Sequence, residues 1–192
     1  MSPDKKLSPD DWARAALDAV AAGGVEAVSV EGLARSLGVT KGSLYWHYAD
    51  RSALITAALE LWERIGTIEI IERLDAIEDP AARLRALFEL SVGDARNGPV
   101  DSALAARVDD HVVGPVVERV AHRRVEFLER AYRDLGLGPA AAAASARIAY
   151  STYLGHFQAA QALRDDPLLG GPAPRYMRRL LHAMVESPRS AH

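Results

Sequence analysis

The chain has 192 residues, 49% of them hydrophobic and 26% charged, a globular composition that excludes wholesale disorder and suffices for a core without covalent staples. Cysteine is absent, which excludes a disulfide scaffold, a cysteine nucleophile and every thiolate metal site. A formal net charge of −3 excludes a uniformly basic nucleic-acid coat, so DNA binding has to come from a local patch.

The first ten residues, MSPDKKLSPD, lack the apolar core of a signal peptide, and residues 1–8 are expected to be a flexible leader. The stretch from Ile148 to Leu163 is free of Asp, Glu, Lys and Arg but is too short and too polar to span a bilayer. A soluble, cytoplasmic protein is the expectation. Periodicity is helical nearly throughout. The first helix should start at Pro9, with Ser8 as N-cap and Asp10 and Asp11 complementing the dipole. Trp12, Ala13, Ala16, Leu17 and Val20 share its inner face, and Gly23-Gly24 stops it. A second helix spans Val30 to Leu37, capped by Ser29 and ended by Gly38, which tolerates a left-handed conformation. A third, short helix follows Thr40 as N-cap, with Val39 and Leu44 placed for a hydrophobic staple. Asp50 caps a long helix from Arg51 to about Leu74. Beyond Pro80, helices are expected at about 80–97, 101–113, 115–136, 139–164 and 174–186, separated by Gly98-Pro99, Gly114-Pro115, Gly136 to Pro139 and Pro167 to Pro174. The fold class is all-α, with about nine helices.

Two short helices joined through Gly38-Val39-Thr40 make a helix-turn-helix pattern, weak by itself. The surface of the second helix sharpens it. At about 100° per residue, Leu44 and Tyr48 point inward, while Gly42, Ser43 and Trp46 lie opposite, flanked by Tyr45 and His47. A solvated face would carry Glu, Lys and Gln. Small, hydroxyl and aromatic residues instead suit the DNA major groove, where backbone and flat rings approach phosphates and base edges. Gly42 costs the helix about 1 kcal/mol relative to alanine, which close approach to a ligand can offset.

The run Val39-Thr40-Lys41-Gly42-Ser43-Leu44-Tyr45-Trp46-His47-Tyr48, followed by Asp50-Arg51-Ser52-Ala53-Leu54, resembles the DNA-binding signature of the tetracycline-repressor (TetR) family of transcriptional regulators. Residues Ala21 to Ala34 resemble that family's first two helices, and the specific match covers about residues 9–60. The resemblance implies an N-terminal three-helix helix-turn-helix head, residues 9–55, and a C-terminal helical effector-binding and dimerisation domain, residues 56–187, with the helix from Arg51 bridging them. It implies phosphate contacts from Ser29, Thr40, Trp46, His47 and Arg51, and groove-facing or base-reading roles for Lys41, Gly42, Ser43 and Tyr45. The head departs from a basic DNA binder. Residues 1–55 hold six Lys/Arg and seven Asp/Glu, and only the span Arg35 to Arg51 sums to +2. Specificity would then lean on groove fit and on two copies of the head.

Helix 139–164 is apolar on two sides, so both sides are buried. Its flatter stripe, with Ile148, Thr152, Gly155, His156, Ala159 and Leu163, joins Met177, Leu180, Leu181 and Met184 of the last helix as the expected dimer face. The resemblance implies a four-helix bundle between two chains, whose C₂ symmetry matches a palindromic operator. The other stripe borders an expected effector cavity, with Trp62, Phe88, Arg107, His111, Tyr150, Tyr153 and Phe157 as candidate contacts. Gly114-Pro115 breaks the pattern where a shift could pass to the head. Asp109, Asp110 and His111, with His122 or His156, fit no metal-site spacing, and no nucleophile elbow, P-loop or dinucleotide-binding glycine pattern is present. No catalytic residue, metal site or cofactor is expected. The sequence reads as a homodimeric, ligand-responsive transcriptional regulator, a repressor of a palindromic double-stranded operator. The alternative is a protein-interaction adaptor with a vestigial helix-turn-helix.

Overall fold

The computed structural model describes residues 7–93, 97–163, 166, 179 and 182–186, and among these every regular element is helical. Helix α1, Pro9–Gly23, begins where Ser8 Oγ accepts the Asp11 N–H and the Asp11 carboxylate accepts the Ser8 N–H at 2.8 Å. This capping box satisfies donors at both ends of the first turn. Leu7, just before the cap, and Trp12, four positions into the helix, are buried in one cluster, the arrangement of a hydrophobic staple. Residue 7 therefore belongs to the head core and not to a loose leader. Lys5 and Lys6 lie outside the described residues.

A 3-10 turn, Val25–Ala27, leads to α2, Val30–Leu37, where Ser29 Oγ accepts the Gly32 N–H. Gly38 closes α2 at φ 73°, ψ 29°, with its N–H on Arg35 O and the Val39 N–H on Ala34 O. That pair of bonds needs the left-handed backbone that glycine adopts without a Cβ penalty. The segment Lys41–Trp46 is wound as 3-10 and not α. Gly42 and the successive aromatics Tyr45 and Trp46 give it little α propensity, and the Thr40 side chain makes no cap bond. Helix α3, Arg51–Glu63, starts on the Asp50 carboxylate, which accepts the Ala53 N–H at 2.8 Å.

One continuous helical rod extends from Arg51 to Asp75, but it is not uniform. A π-helical turn at Arg64–Ile68 separates α3 from α4, Glu69–Asp75. Helix α5 is Pro80–Gly93, α6 is Asn97–Ala105, α7 is Gly114–Asp134 and α8 is Pro139–Ala162. The expected helix over 101–113 is thus displaced. Gly98-Pro99 opens α6, because proline is tolerated in a first turn, and residues 106–113 form successive turns. Asp110 organises them by accepting the Val112 and Val113 N–H groups at 2.7 and 3.0 Å. A Cβ at Gly114 would collide with the Val108 carbonyl oxygen, so this glycine serves close packing. The expected helix over 174–186 falls largely outside the described residues, which retain a π turn at His182–Glu186.

Two apolar cores result. The first joins α1, α2, Leu44 and α3 to Val100 and Leu104 of α6 and to Val113, Val116 and Val120 around the start of α7. The head core therefore continues into the body through the packing of α1 on α6. The second core joins α5, the later turns of α7 and the early turns of α8.

Between the cores, Glu63 is buried and accepts from Arg119 Nε at 3.0 Å and from Arg123 Nη1 at 2.9 Å. The Arg119 hydrogen bond holds its carboxyl below the ordinary carboxylate value of 4.5, against the opposing push of burial. A lowered folded pKa contributes stability that is complete above the unfolded value and disappears as pH falls through the folded one. Urea midpoints measured from about pH 5.5 down to about pH 3 should fall more steeply for the native chain than for Glu63→Gln. Equal slopes would remove Glu63 as a contributor to acid sensitivity.

Candidate nucleic-acid interface and internal cavity

The helix-turn-helix surface is built by one inward anchor. Leu44 is fully buried, Val39 packs against the same cluster, and the Tyr48 hydroxyl donates to the Pro9 carbonyl at 2.8 Å. With Leu44 and Tyr48 committed inward, Tyr45 is left 58% exposed and Trp46 88% exposed. Three residues per 3-10 turn stack Gly42 with Tyr45 and Ser43 with Trp46 along the segment. A Cβ at Gly42 would meet only Thr40 Oγ1, at an ordinary 3.7 Å, so nothing inside the fold requires glycine there. Lys41 is exposed and stands 3.8 Å from Glu31. Arg51 is placed unexpectedly: its Nε and Nη2 donate to Val28 O and Val25 O, both at 2.7 Å, and so pin the 3-10 turn to the start of α3.

The body contains a cavity of about 80 Å³ between α4, α5, α7 and α8. Ile70, Ile71, Leu87, Phe88, Phe127 and Leu128 supply much of its wall, with Thr67, Ser91, Tyr150, Thr152, Tyr153 and His156 as uncharged polar groups. Arg124 enters from α7. Its Nη1 donates to Asp101 Oδ2 at 2.6 Å, its Nε to Thr67 Oγ1 at 2.9 Å and its Nη2 to Gly66 O at 3.1 Å. Both of the last two acceptors sit in the π turn, where the ladder of i→i−4 bonds is interrupted. Asp101 also accepts from Trp62 Nε1 at 2.7 Å and from the Tyr153 hydroxyl. The guanidinium carbon lies 5.5 Å from the Trp62 ring centre and 5.8 Å from that of Tyr153, within cation–π range. Burial alone would lower the Arg124 pKa, but the Asp101 carboxylate overrides it and the net shift is upward. Burial pushes Tyr150 up and His156 down, so both are neutral at pH 7.

A sequence model of bacterial regulatory proteins, tetR family, matches residues 14–58, the segment just described. The match is confined to the N-terminal head and shows a tetR-type helix-turn-helix sequence there. It is 36% identical over 66 residues to the HTH-type transcriptional regulator AcrR of Shigella flexneri, covering 34% of this chain and 31% of that protein. It is 42% identical over 55 residues to the tetracycline repressor protein class A from transposon 1721 of Escherichia coli, covering 29% of this chain and 26% of that one. The chain thus spans less than a third of the length of these curated relatives. A crystal structure of a TetR-family transcriptional regulator from Agrobacterium tumefaciens superposes with a TM-score of 0.75 at 22% identity, over 92% of this chain and 97% of that one. That likeness shows a shared all-α fold that includes the body.

The residues expected at an effector site separate into three groups. Phe88, Tyr150 and Tyr153 line the cavity. Trp62 and Phe157 are buried but do not line it: Trp62 is held on Asp101, and the Phe157 ring occupies the space a Cβ on Gly98 would need. Arg107 and His111 lie elsewhere, on the exposed turns of residues 106–113, with Arg107 Nη1 2.5 Å from Glu26 Oε1. The inward face assigned to them required a helix that ends at Ala105. Of the expected dimer face, Ile148, Gly155 and Leu163 are exposed, and Thr152 and Ala159 are half-buried. His156 instead turns into the cavity, and Met184 packs on the second core. Met177, Leu180 and Leu181 lie outside the described residues. Arg124, Asp101 and Thr67 were not anticipated. A signal existed for Arg124, which stands between Val120 and Phe127–Leu128 on the apolar stripe of α7, where a solvated arginine has no place.

Among the described residues, no helix is long and apolar enough to cross a membrane, and no group of three His, Asp or Glu is placed to hold a metal ion.

Proposed function

We propose that the protein is a ligand-responsive transcriptional repressor that binds a palindromic operator as a homodimer. The observation that carries this reading is the exposed Tyr45–Trp46 pair on a segment anchored by Leu44. Two large rings left in water on a head whose core is otherwise complete call for a flat polyanionic partner, and the major groove offers phosphates and thymine methyls to such rings. Residues 9–55 serve as the DNA-binding part. Ser29, Thr40, Lys41, Gly42, Ser43, Tyr45, Trp46 and His47 are its contact set, and Arg51 organises that set through Val25 and Val28.

The outer face of α8 supports the dimer. Ile148 and Leu163 are each more than half exposed, and Gly155 between them has no atom near its missing Cβ, which permits close approach of a second helix. The cavity supports the effector: it adjoins the rod that descends from the head, and Arg124 on its wall is bound to Asp101 of α6, which packs on α1. A ligand that prefers one arrangement of these helices shifts the spacing of the two heads by its differential affinity.

In vitro selection of random duplex DNA by the purified chain at near-physiological salt tests the reading. Enrichment of one palindrome, with affinity falling steeply as salt rises, is expected. Failure of the folded protein to enrich any sequence would favour the adaptor alternative.

A further inference from the structure

The charge state of the cavity wall restricts what can enter it. Among the described residues, Arg124 is the one ionised side chain on that wall, and its charge is spent on Asp101 directly behind it. Asp101 is buried and the Arg124 side chain mostly so, and the carboxylate is further occupied by Trp62 and Tyr153. Arg124 donates its remaining directed bonds to Thr67 and Gly66. Among the described residues, no uncompensated charge of either sign faces the cavity. His156 is held neutral by burial, and the Thr152 hydroxyl is occupied by the Ile148 carbonyl. Two hydroxyls that line the cavity, those of Tyr150 and Ser91, make no hydrogen bond among the described residues.

An anionic ligand here would lose its hydration and gain no cation that Asp101 does not already neutralise. A cationic ligand would meet the fixed Arg124 guanidinium without a free carboxylate. An uncharged ligand suffers neither cost. The aliphatic and aromatic remainder of the wall stabilises an apolar body, and the Tyr150 phenol, a stronger donor than the Ser91 hydroxyl, supplies a directional bond. The enclosed part of the cavity, about 80 Å³, favours a small ligand.

We propose that the effector is a small uncharged organic molecule, largely apolar, with one hydrogen-bond acceptor that the Tyr150 hydroxyl recognises. This rests on the reading of the cavity as the effector site.

The test uses the full chain at pH 7.5 and four probes of matched size: acetophenone, benzoate, benzylammonium and ethylbenzene, titrated by calorimetry. Acetophenone should bind at least about tenfold more tightly than benzoate or benzylammonium, because each of these carries an unpaired charge into the cavity. Tyr150→Phe should weaken acetophenone about 3–10-fold, towards ethylbenzene, and leave ethylbenzene unchanged. Benzoate or benzylammonium binding as tightly as acetophenone overturns the proposal, as does the absence of binding by any probe. Equal loss of acetophenone and ethylbenzene in Tyr150→Phe overturns the role of the hydroxyl. A separate readout distinguishes the underlying reading. Neutral-selective binding that leaves affinity for the selected DNA unchanged would refute the cavity as an effector site and still uphold its preference for uncharged ligands.

Discussion

Replacing Asp101 with alanine is expected to destabilise the protein by about 3–5 kcal/mol, the cost of leaving a buried guanidinium without its counter-ion. Arg124 has little access to water that would relieve this. Its side chain is 13% exposed and stands between the Trp62 and Tyr153 rings. The same substitution also deprives the Trp62 indole N–H and the Tyr153 hydroxyl of their acceptor. Four elements meet at this carboxylate: α3 through Trp62, α6 through Asp101 itself, α7 through Arg124 and α8 through Tyr153. Urea unfolding at pH 7 measures the effect. The double variant Asp101→Leu/Arg124→Met removes both charges together and should recover the part of the loss due to the unpaired guanidinium, leaving the cost of the Trp62 and Tyr153 donors without an acceptor. A single substitution costing less than about 1 kcal/mol would mean that water reaches Arg124 and that the pair is not a structural centre.

The second large effect concerns DNA and leaves stability alone. Alanine at both Tyr45 and Trp46 should lower affinity for the selected operator by about 10–100-fold, a loss of about 1–3 kcal/mol. Because these rings contribute little to the core, the unfolding free energy should stay within about 0.5 kcal/mol of the native value. The two measurements together separate contact from folding. Undiminished DNA affinity in a folded double variant would refute the assignment of this surface to the groove. A drop in stability with the loss of affinity would point to a packing role that 88% exposure of Trp46 argues against.

Much of the head was legible because its signals are short-range. Ser8, Ser29 and Asp50 each cap a backbone N–H three residues away, and Gly38 is needed by the conformation of its own residue. Leu44 was readable as inward because the residues around it could not all be buried. The tighter 3-10 winding of Lys41–Trp46 was not readable, since it depends on how Leu44 and Tyr48 seat against α1 and α3. In the body, the termini of α7 and α8 followed from proline, yet the helix expected over 101–113 was misplaced. A Gly-Pro pair marks a discontinuity without saying whether a helix ends before it or begins upon it.

The sequence by itself determined the all-α class, the helix-turn-helix surface and the caps that bound it, because those depend on residues within about one turn of each other. Only the tertiary structure decided that Arg51 clamps Val25 and Val28, that the π turn presents Gly66 and Thr67 to Arg124, and that Asp101 and Arg124 neutralise each other beside the cavity. Those partners stand 23 to 58 positions apart. A charged residue announces that it needs a partner, but which one it meets is set by the packing of whole helices, and periodicity along one chain carries no record of that.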